Sequence, residues 1–235
     1  MNKGSNILKF LWFNIVRLNR SSISGYLLYK RTKSIIGKHL PDNAVIVEAG
    51  AHKGTDTAEM AYRWPDAIIH AFEPVPEIYK ILTLNTGRYS NVKTYQLALS
   101  DRNGFAKFHT SEGTSDESGS LLTPKEHLKI HPTVKFNKEI KVRTIMLDSW
   151  AKENNISKVD FMWLDMQGME LKVLKKSKII FPNVKLLYTE INLKETYKGV
   201  DLYSEYKQWL VSNGMTLIFE NTYWKDSGNA LFIRK

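Results

Sequence analysis

The sequence of 235 residues contains no cysteine. Disulfide bonds, thiolate zinc sites and cysteine nucleophiles are therefore excluded. A chain without cysteine is compatible with a reducing compartment, and we expect a cytoplasmic protein.

Acidic residues are absent from the first 40 positions, which carry eight lysines and arginines. Residues 41–235 hold 26 basic and 24 acidic residues, so their net charge is only +2 of the +10 of the whole chain. The basic charge belongs to an N-terminal arm rather than to the surface around a cleft. This distribution argues against a nucleic-acid partner.

The arm also lacks an apolar run long enough to span a bilayer, because Lys9 and Asn14 interrupt it. Its apolar residues recur at helical spacing, at Ile7, Leu8, Leu11, Trp12, Ile15 and Leu18. No small-residue cleavage site follows, so we expect no secretory signal. The predicted helix either lies on an anionic membrane surface, as a peripheral contact, or packs on the domain or on a second copy of the chain.

Past the arm, residues 41–235 suit a single domain in which strands and helices alternate. The predicted strands are 44–49, 67–73, 92–98, 159–164 and 184–191. The predicted helices are 55–64, 76–85, 149–155, 169–177 and 202–213, with Asp201 as the cap of the last. Alternation of this kind predicts an α/β fold with a doubly wound sheet.

Two regions depart from the alternation. Residues 105–109 and 139–146 predict extra strands around the polar stretch Ser111–Ser120, a loop that either closes over a site or is unstructured. Residues 215–220 and 229–234 predict a terminal hairpin. We therefore expect a small β/loop insertion in the main sheet's connections.

The run from Ala44 to Gly54 predicts a buried strand, a tight glycine turn and a helix from Thr55. This order places a nucleotide-type pocket at the carboxyl edge of a parallel sheet. His52 and Thr55 occupy the places of two of the three glycines of a dinucleotide fingerprint.

Two acids end consecutive predicted strands, Glu48 and Glu73. Glu48 would repel a phosphate but suits a ligand that carries a sulfonium and an ammonium, as S-adenosylmethionine does. Glu73 is placed to accept both ribose hydroxyl protons. The alternative is that both acids only cap the sheet edge.

Asp165 ends the predicted strand 159–164, and Gly168 permits a sharp turn before the next helix. The strand delivers Asp165 to the same carboxyl edge. There it could orient a hydroxyl and take its proton during methyl transfer, cap the following helix, or bind the methionine ammonium of the cofactor.

These motifs, taken in order, resemble those of the FkbM-type methyltransferases over about residues 44–191. The motifs are Glu48–Gly54, Phe72–Pro76, Ala98–Asp101 with Gly104, Gly119–Leu121, Leu147–Asp148, Leu164–Glu170 and Thr189–Ile191. The resemblance implies an S-adenosylmethionine-dependent enzyme, usually an O-methyltransferase that acts on a sugar or natural-product hydroxyl. It also implies a Rossmann-like, seven-stranded sheet whose last strand is antiparallel.

Carried over to this chain, the resemblance implies that Glu48, Gly50, Ala51 and Gly54 line the methionine part. Glu73 would hold the ribose, Ala98 and Leu99 would border the adenine, and Asp165 would lie near the reacting methyl. The chain has Gly119 where the family often has the first serine of a pair, Trp163 where many members carry lysine, and Gln167 where many carry glutamate.

Four further candidates are less specific. Glu170 could be a second acid near the methyl acceptor or a partner of the helix dipole. Glu190 ends a strand at the same edge, and His52 lies in the glycine turn, facing either ligand or solvent. His127 and His131 are four residues apart without a third ligand, so we predict no metal site.

We therefore predict a methyltransferase whose partner is a small-molecule or glycan acceptor. Two alternatives stay open at this point. One is a nicotinamide-dependent oxidoreductase built on the same sheet, and the other is a non-catalytic tethering module whose basic arm binds a membrane or a partner.

Overall fold

The structure is a computed structural model that describes residues 23–222 and 225–235, with side chains from residue 30 onwards. The chain divides into two compact units, Met1–His39 and Leu40–Lys235. In the first unit, helix α1 spans Ile23–His39 and ends on basic residues, which complement the negative end of a helix dipole.

The second unit alternates strands with helices. Its strands are β1 Val45–Ala49, β2 Ile68–Phe72, β3 Val92–Tyr95, β4 Ala98–Leu99, β5 Gly104–Gly113, β6 Val134–Ile145, β7 Phe161–Leu164, β8 Leu186–Asn192, β9 Met215–Asn221 and β10 Ser227–Arg234. Its helices are α2 Thr55–Arg63, α3 Pro76–Thr86, α4 His127–Ile130, α5 Leu147–Glu153, α6 Glu170–Lys176 and α7 Tyr203–Ser212, with a short 3₁₀ turn at Phe181–Asn183.

Seven of these strands form the main sheet, in the order β3-β2-β1-β7-β8-β10-β9. All neighbouring pairs are parallel except those of β10, which runs antiparallel to both β8 and β9. The predicted α/β fold, with a seven-stranded Rossmann-like sheet and an antiparallel last strand, is therefore confirmed. The central strands β1, β7 and β8 are mostly apolar and almost entirely buried, as expected where helices cover both faces of a sheet.

The predicted insertion forms a separate three-stranded sheet in the order β4-β6-β5. β5 and β6 pair antiparallel over almost their whole length, whereas the two-residue β4 runs parallel to β6. Residues Ser111, Glu112 and Gly113 extend β5, so the polar stretch contributes only residues 114–119 to a loop. Backbone pairing of His109 with Ser120 closes this loop.

The predicted strand 92–98 was wrong as a single element. It breaks after Tyr95, and Ala98–Leu99 joins the second sheet by pairing with Thr144 and Ile145. Hydrophobic patterning could not detect the break, since β3 has four residues and β4 only two, which is too short for either to show a period of its own.

The predicted cap of α7 by Asp201 was also wrong. Residue Leu202 occupies the N-cap position, and no side chain caps the helix. The Asp201 carboxylate instead binds the ammonium groups of Lys172 and Lys175, at 2.8 and 3.3 Å. A tertiary ion pair has replaced the local hydrogen bond that the sequence favoured.

The predicted arm helix with Ile7 to Leu18 lies outside the described residues, so its contact with a membrane or a second chain stays a prediction. Among the helices of residues 23–222 and 225–235, none has the length and apolar character to cross a membrane.

Asp148 provides a test of how the loop after α6 is held. Its carboxylate accepts hydrogen bonds from the backbone N–H groups of Lys178, Ile179 and Ile180 and from the Ser177 hydroxyl. Because four donors lose their acceptor, Asp148→Ala is expected to lower the free energy of unfolding by about 2 to 3 kcal/mol. Urea unfolding followed by tryptophan fluorescence measures this loss.

Glu153→Ala, at an exposed position of the same helix α5, is the matched control and should change the free energy by less than about 0.5 kcal/mol. Equal stability of the two variants would contradict this role of Asp148.

Candidate active site at the carboxyl edge of the sheet

The glycine turn after β1 is held against the neighbouring strand ends. The N–H groups of Gly50 and Ala51 both donate to the Phe72 carbonyl, at 3.1 and 3.0 Å, and the Asp165 N–H donates to the Ala49 carbonyl at 2.9 Å. The carboxyl ends of β2, β1 and β7 therefore meet at one point, as the sequence predicted.

Gly50 has no room for a side chain. Its φ is +85°, and a Cβ atom there would lie 1.8 Å from the Asp165 carbonyl oxygen. Gly54 is also left-handed, at φ +81°, and its Cβ would meet the Leu82 side chain at 2.7 Å. Both positions lack a side chain because other parts of the protein pack against them, Asp165 at Gly50 and Leu82 at Gly54.

Glu48 lies beneath this turn and is only 2% exposed. Its carboxylate accepts a hydrogen bond of 2.5 Å from the Thr57 hydroxyl in the first turn of α2. Glu48 therefore faces the start of α2 rather than open solvent.

Glu73 is 5% exposed and accepts hydrogen bonds from the His52 and Val75 N–H groups, at 3.1 and 2.8 Å. Burial raises the pKa of Glu73 to about 7, although the two backbone hydrogen bonds oppose this effect. Ala98 belongs to the same apolar cluster as Val75, which places β4 beside the Glu73 turn. Leu99 is buried next to it.

The loop of the insertion lies over the glycine turn. The His52 imidazole is 3.1 Å from one Asp116 oxygen, and the Lys53 ammonium is 2.5 Å from the other. Burial lowers the pKa of His52, while Asp116 and Glu117 act in the opposite direction. Within the described part of the chain, His52, Asp116 and Glu117 are the one group with suitable spacing for a cation.

Asp165 and Glu190 both accept hydrogen bonds from the amide nitrogen of Gln167, at 2.7 and 3.0 Å. Removal of water by the surrounding protein is the main cause that raises the pKa of each carboxyl above its ordinary value, although Asp165 stays exposed at the cavity. The charge of Asp165 raises the pKa of Glu190 further, whereas the hydrogen bond with Glu190 lowers that of Asp165. The structure thus brings together two acids that the sequence predicted separately.

Glu170 does not bind the Gln167 amide with Asp165 and Glu190 but lies below the turn that follows β7. It is 3% exposed and accepts hydrogen bonds from the Met166 and Gly168 N–H groups, at 2.6 and 3.0 Å. Its carboxylate therefore holds the turn between β7 and α6, and burial raises its pKa to about 7. Thr55 is half-buried at the first residue of α2, and Ala51 is buried in the turn.

A cavity of about 320 Å³ opens beside Asp165 and Glu190. Its walls come from the insertion, the edge of the main sheet and the start of β10. Its ionisable lining residues are Glu117, Asp165, Glu190, Asp226, His127, His131 and Tyr197. Of the residues that the structure describes around this cavity, none is a lysine or an arginine.

The two histidines lie at the far side of this cavity with rings 4.9 Å apart. His131 Nε2 is 3.0 Å from the buried Asp226 carboxylate, and burial lowers the pKa of His127 to about 4. Their spacing in the sequence indicated that they share a face. Asp226, 95 residues further along the chain, could not be connected to them by any local pattern.

Four residues of the site were missed as functional by sequence reasoning: Asp116, Gln167, Tyr197 and Asp226. The departure at Gln167 from the pattern that the chain resembles was the only available signal. The other three lie in loops whose approach to the edge depends on the tertiary fold.

Comparison with known proteins places this arrangement in context. Residues 48–217 match the family described as Methyltransferase FkbM domain. The chain is 32% identical over 185 residues to 2-O-methyltransferase NoeI of Sinorhizobium fredii, covering 77% of this chain and 75% of that protein. It is 29% identical over 164 residues to Methyltransferase sdnD of Sordaria araneosa, covering 58% and 61%.

Among solved structures, the fibrillarin pre-rRNA processing protein of Methanococcus jannaschii is similar with a TM-score of 0.50 at 15% identity. The match covers 83% of this chain and 68% of that protein. At this identity the likeness concerns the fold alone.

Gly50→Ala tests the close approach of the turn to Asp165. A Cβ that would lie 1.8 Å from a backbone oxygen forces the two strand ends apart, so we expect a loss of about 3 kcal/mol or more in the free energy of unfolding. Urea unfolding of the purified variant measures it.

Gly199→Ala is the matched control, because Gly199 has a similar φ of +71° but open space around the position of its Cβ. It should lose only about 1 kcal/mol, the cost of the left-handed backbone. If the two variants lose the same free energy of unfolding, the close contact with Asp165 does not restrict residue 50 to glycine.

Proposed function

Because this chain belongs to the FkbM methyltransferase family, we propose that it is an O-methyltransferase that acts on a hydroxyl of a sugar, glycan or other small molecule. The observation that carries the proposal is the pair Asp165 and Glu190, which faces a cavity beside the glycine turn. A hydroxyl that becomes an ether must lose its proton, and a carboxylate at this place can accept it.

Family membership confirms the predicted methyltransferase function and S-adenosylmethionine as the cofactor. It favours this function over a nicotinamide-dependent oxidoreductase and over a non-catalytic tethering module. The described residues fit such a cofactor, since the left-handed Gly50 and Gly54 form a tight turn at the end of β1, close to the buried carboxyls of Glu48 and Glu73. When bound, S-adenosylmethionine supplies an electrophilic methyl group on a positively charged sulfur.

The residues of the protein bind the cofactor and orient it. In the proposal, the methionine part lies against Glu48, Gly50, Ala51, His52, Gly54 and Thr55, the ribose against Glu73, and the adenine against Ala98 and Leu99. Glu48 contributes attraction from beneath the turn, because a buried negative charge acts strongly on a nearby cation. Asp165 lies next to Gly50 and faces the methyl acceptor.

The cavity indicates the charge of the methyl acceptor. Four carboxylates line it, and its described walls contain no lysine or arginine to balance an anion. A neutral or cationic hydroxyl compound is therefore favoured over one that carries a carboxylate or phosphate near the reacting group. The volume suits one unit of the size of a sugar ring, at the small end of ligand sites. The name of the relative NoeI supports oxygen as the methylated atom.

The function is tested by binding and by transfer. In calorimetric titration, S-adenosylhomocysteine should bind at least about 100-fold more tightly than NAD, because Glu48 disfavours a pyrophosphate. Labelled methyl from S-adenosylmethionine should reach neutral methyl hexosides at least about 10-fold faster than the corresponding uronates, because the carboxylates of the cavity repel an acid. Tighter binding of NAD, or preference for uronates, would contradict the proposal.

Asp165→Asn tests the proton acceptor. Turnover should fall by about 100-fold or more, because an amide cannot take the hydroxyl proton. The affinity for S-adenosylhomocysteine should change by less than about fivefold. Asp66→Asn, at an exposed turn before β2, is the control and should leave both quantities unchanged. Equal losses of turnover and affinity in Asp165→Asn would make Asp165 a binding residue only.

A further inference from the structure

Gln167 has an unusual backbone conformation. Its φ is +53°, in the left-handed region that residues other than glycine rarely adopt. Such strain persists only where the surroundings hold it, and it is common at functional sites.

Three contacts hold Gln167 in this conformation. The Ser120 hydroxyl donates to its carbonyl oxygen at 2.8 Å, and the Tyr197 hydroxyl lies 2.9 Å from its amide oxygen. Glu170 fixes the same turn from below through the N–H groups of Met166 and Gly168. Ser120 and Tyr197 are themselves buried, so the arrangement is rigid.

The orientation of the amide follows from its neighbours. Carboxylates only accept hydrogen bonds when charged, so the nitrogen of the Gln167 amide must face Asp165 and Glu190. The amide oxygen then faces the Tyr197 hydroxyl at 2.9 Å, and this hydroxyl also lies 2.8 Å from the Ser118 carbonyl oxygen, so its one proton has two acceptors. Tyr197 therefore supports the orientation of the amide that the two acids require.

We propose that Gln167 is a positioning residue that joins Asp165 and Glu190 into one pair sharing a single proton, and that this pair takes the proton of the methyl acceptor's hydroxyl. Both carboxyls hydrogen-bond the same Gln167 nitrogen, at 2.7 and 3.0 Å, so the two carboxyls are close neighbours. Two carboxylates this close repel each other, which favours the state in which one of them keeps a proton.

The inference rests on the proposed methyl transfer to oxygen. In that step, the hydroxyl oxygen forms a bond to the methyl carbon, the carbon–sulfur bond breaks with its electron pair left on sulfur, and the hydroxyl proton passes to the free carboxylate of the pair. The positive charge lost at sulfur is thereby matched by the proton gained at the pair.

The surrounding charges favour retention of one proton. Beyond burial, the carboxylates of Glu117 and Asp56 raise the pKa of Asp165, and Asp165 and Glu170 raise that of Glu190. Tyr197, His127, His131 and Asp226 complete the ionisable lining of the cavity. The amide of Gln167 opposes the increase, because its N–H groups stabilise the charged forms.

Gln167→Leu keeps the size of the side chain and removes all of its hydrogen bonds. We expect turnover to fall by about 10- to 100-fold, with less than about threefold change in the affinity for S-adenosylhomocysteine. The acid limb of the pH–rate profile should move to higher pH by about one unit, since the carboxyls lose a donor to their charged forms. Gln167→Glu should move it in the same direction, because a third negative charge disfavours ionisation of the pair.

Tyr197→Phe tests how the amide is oriented. It should produce a smaller shift in the same direction, and the double variant Gln167→Leu/Tyr197→Phe should shift no further than Gln167→Leu alone, because Tyr197 acts through the amide. Gln208→Leu, at an exposed glutamine of α7, is the matched control and should leave the profile unchanged.

Carbon-13 NMR of labelled Asp and Glu carboxyls, in the complex with S-adenosylhomocysteine, gives a readout without turnover. Gln167→Leu should raise the pKa of both carboxyls of the pair. If these pKa values stay in place in the folded variant, Gln167 does not join the pair and the inference is overturned. If they move but the pH–rate profile does not, the pair does not take the proton, which also overturns it.

The results that would contradict the proposed function differ from those that would overturn the inference about Gln167. A wild-type protein that binds S-adenosylhomocysteine but methylates only nitrogen compounds would refute O-methylation, while the carboxyl titration would still report on Gln167. Loss of the acid limb in His131→Asn, with Gln167→Leu unshifted, would assign the proton to the His131–Asp226 pair instead.

Discussion

The close approach of two strand ends, at Gly50 and Asp165, is the constraint on which the site depends. The backbone of β7 passes so near the turn after β1 that the position of a Cβ at residue 50 is 1.8 Å from the Asp165 carbonyl oxygen. Because no side chain separates them, the glycine turn, which we propose holds the cofactor, and the Asp165 carboxylate, which we propose faces the methyl acceptor, lie side by side. In-line methyl transfer needs this proximity, since alignment of the two reactants accounts for much of the catalytic effect.

The insertion completes the site from the other side. Its loop binds His52 and Lys53 through Asp116, and its closing residue Ser120 holds the Gln167 carbonyl. Tyr197, from the segment after β8, holds the Gln167 amide. The cavity therefore draws its walls from segments other than the glycine turn. If the methyl acceptor binds there, as proposed, one fold can keep its cofactor turn while other segments shape the acceptor site.

Much of the fold was predictable because its determinants are local. The apolar run 161–164 indicates a strand buried on both faces, and β7 forms there. The errors arose where a tertiary contact outweighed a local one. Asp201 binds two lysines of α6 rather than capping α7, and Ala98 leaves the main sheet to pair with β6. Neither partner can be identified from spacing along the chain.

The sequence by itself determined where most strands lie along the chain, the glycine turn after the first of them, and the acids at the strand ends. Each of these depends on the residue types in one short segment. It also indicated Gln167 as a departure from the pattern that the chain resembles. Only the tertiary structure decided what those acids face: Glu48 is beneath the turn with Thr57, Glu170 holds a backbone turn, and Asp165 and Glu190 share one amide. The physical reason is that the environment of a carboxylate is set by groups far away in the chain, and these groups become its neighbours only when the sheet and the insertion pack.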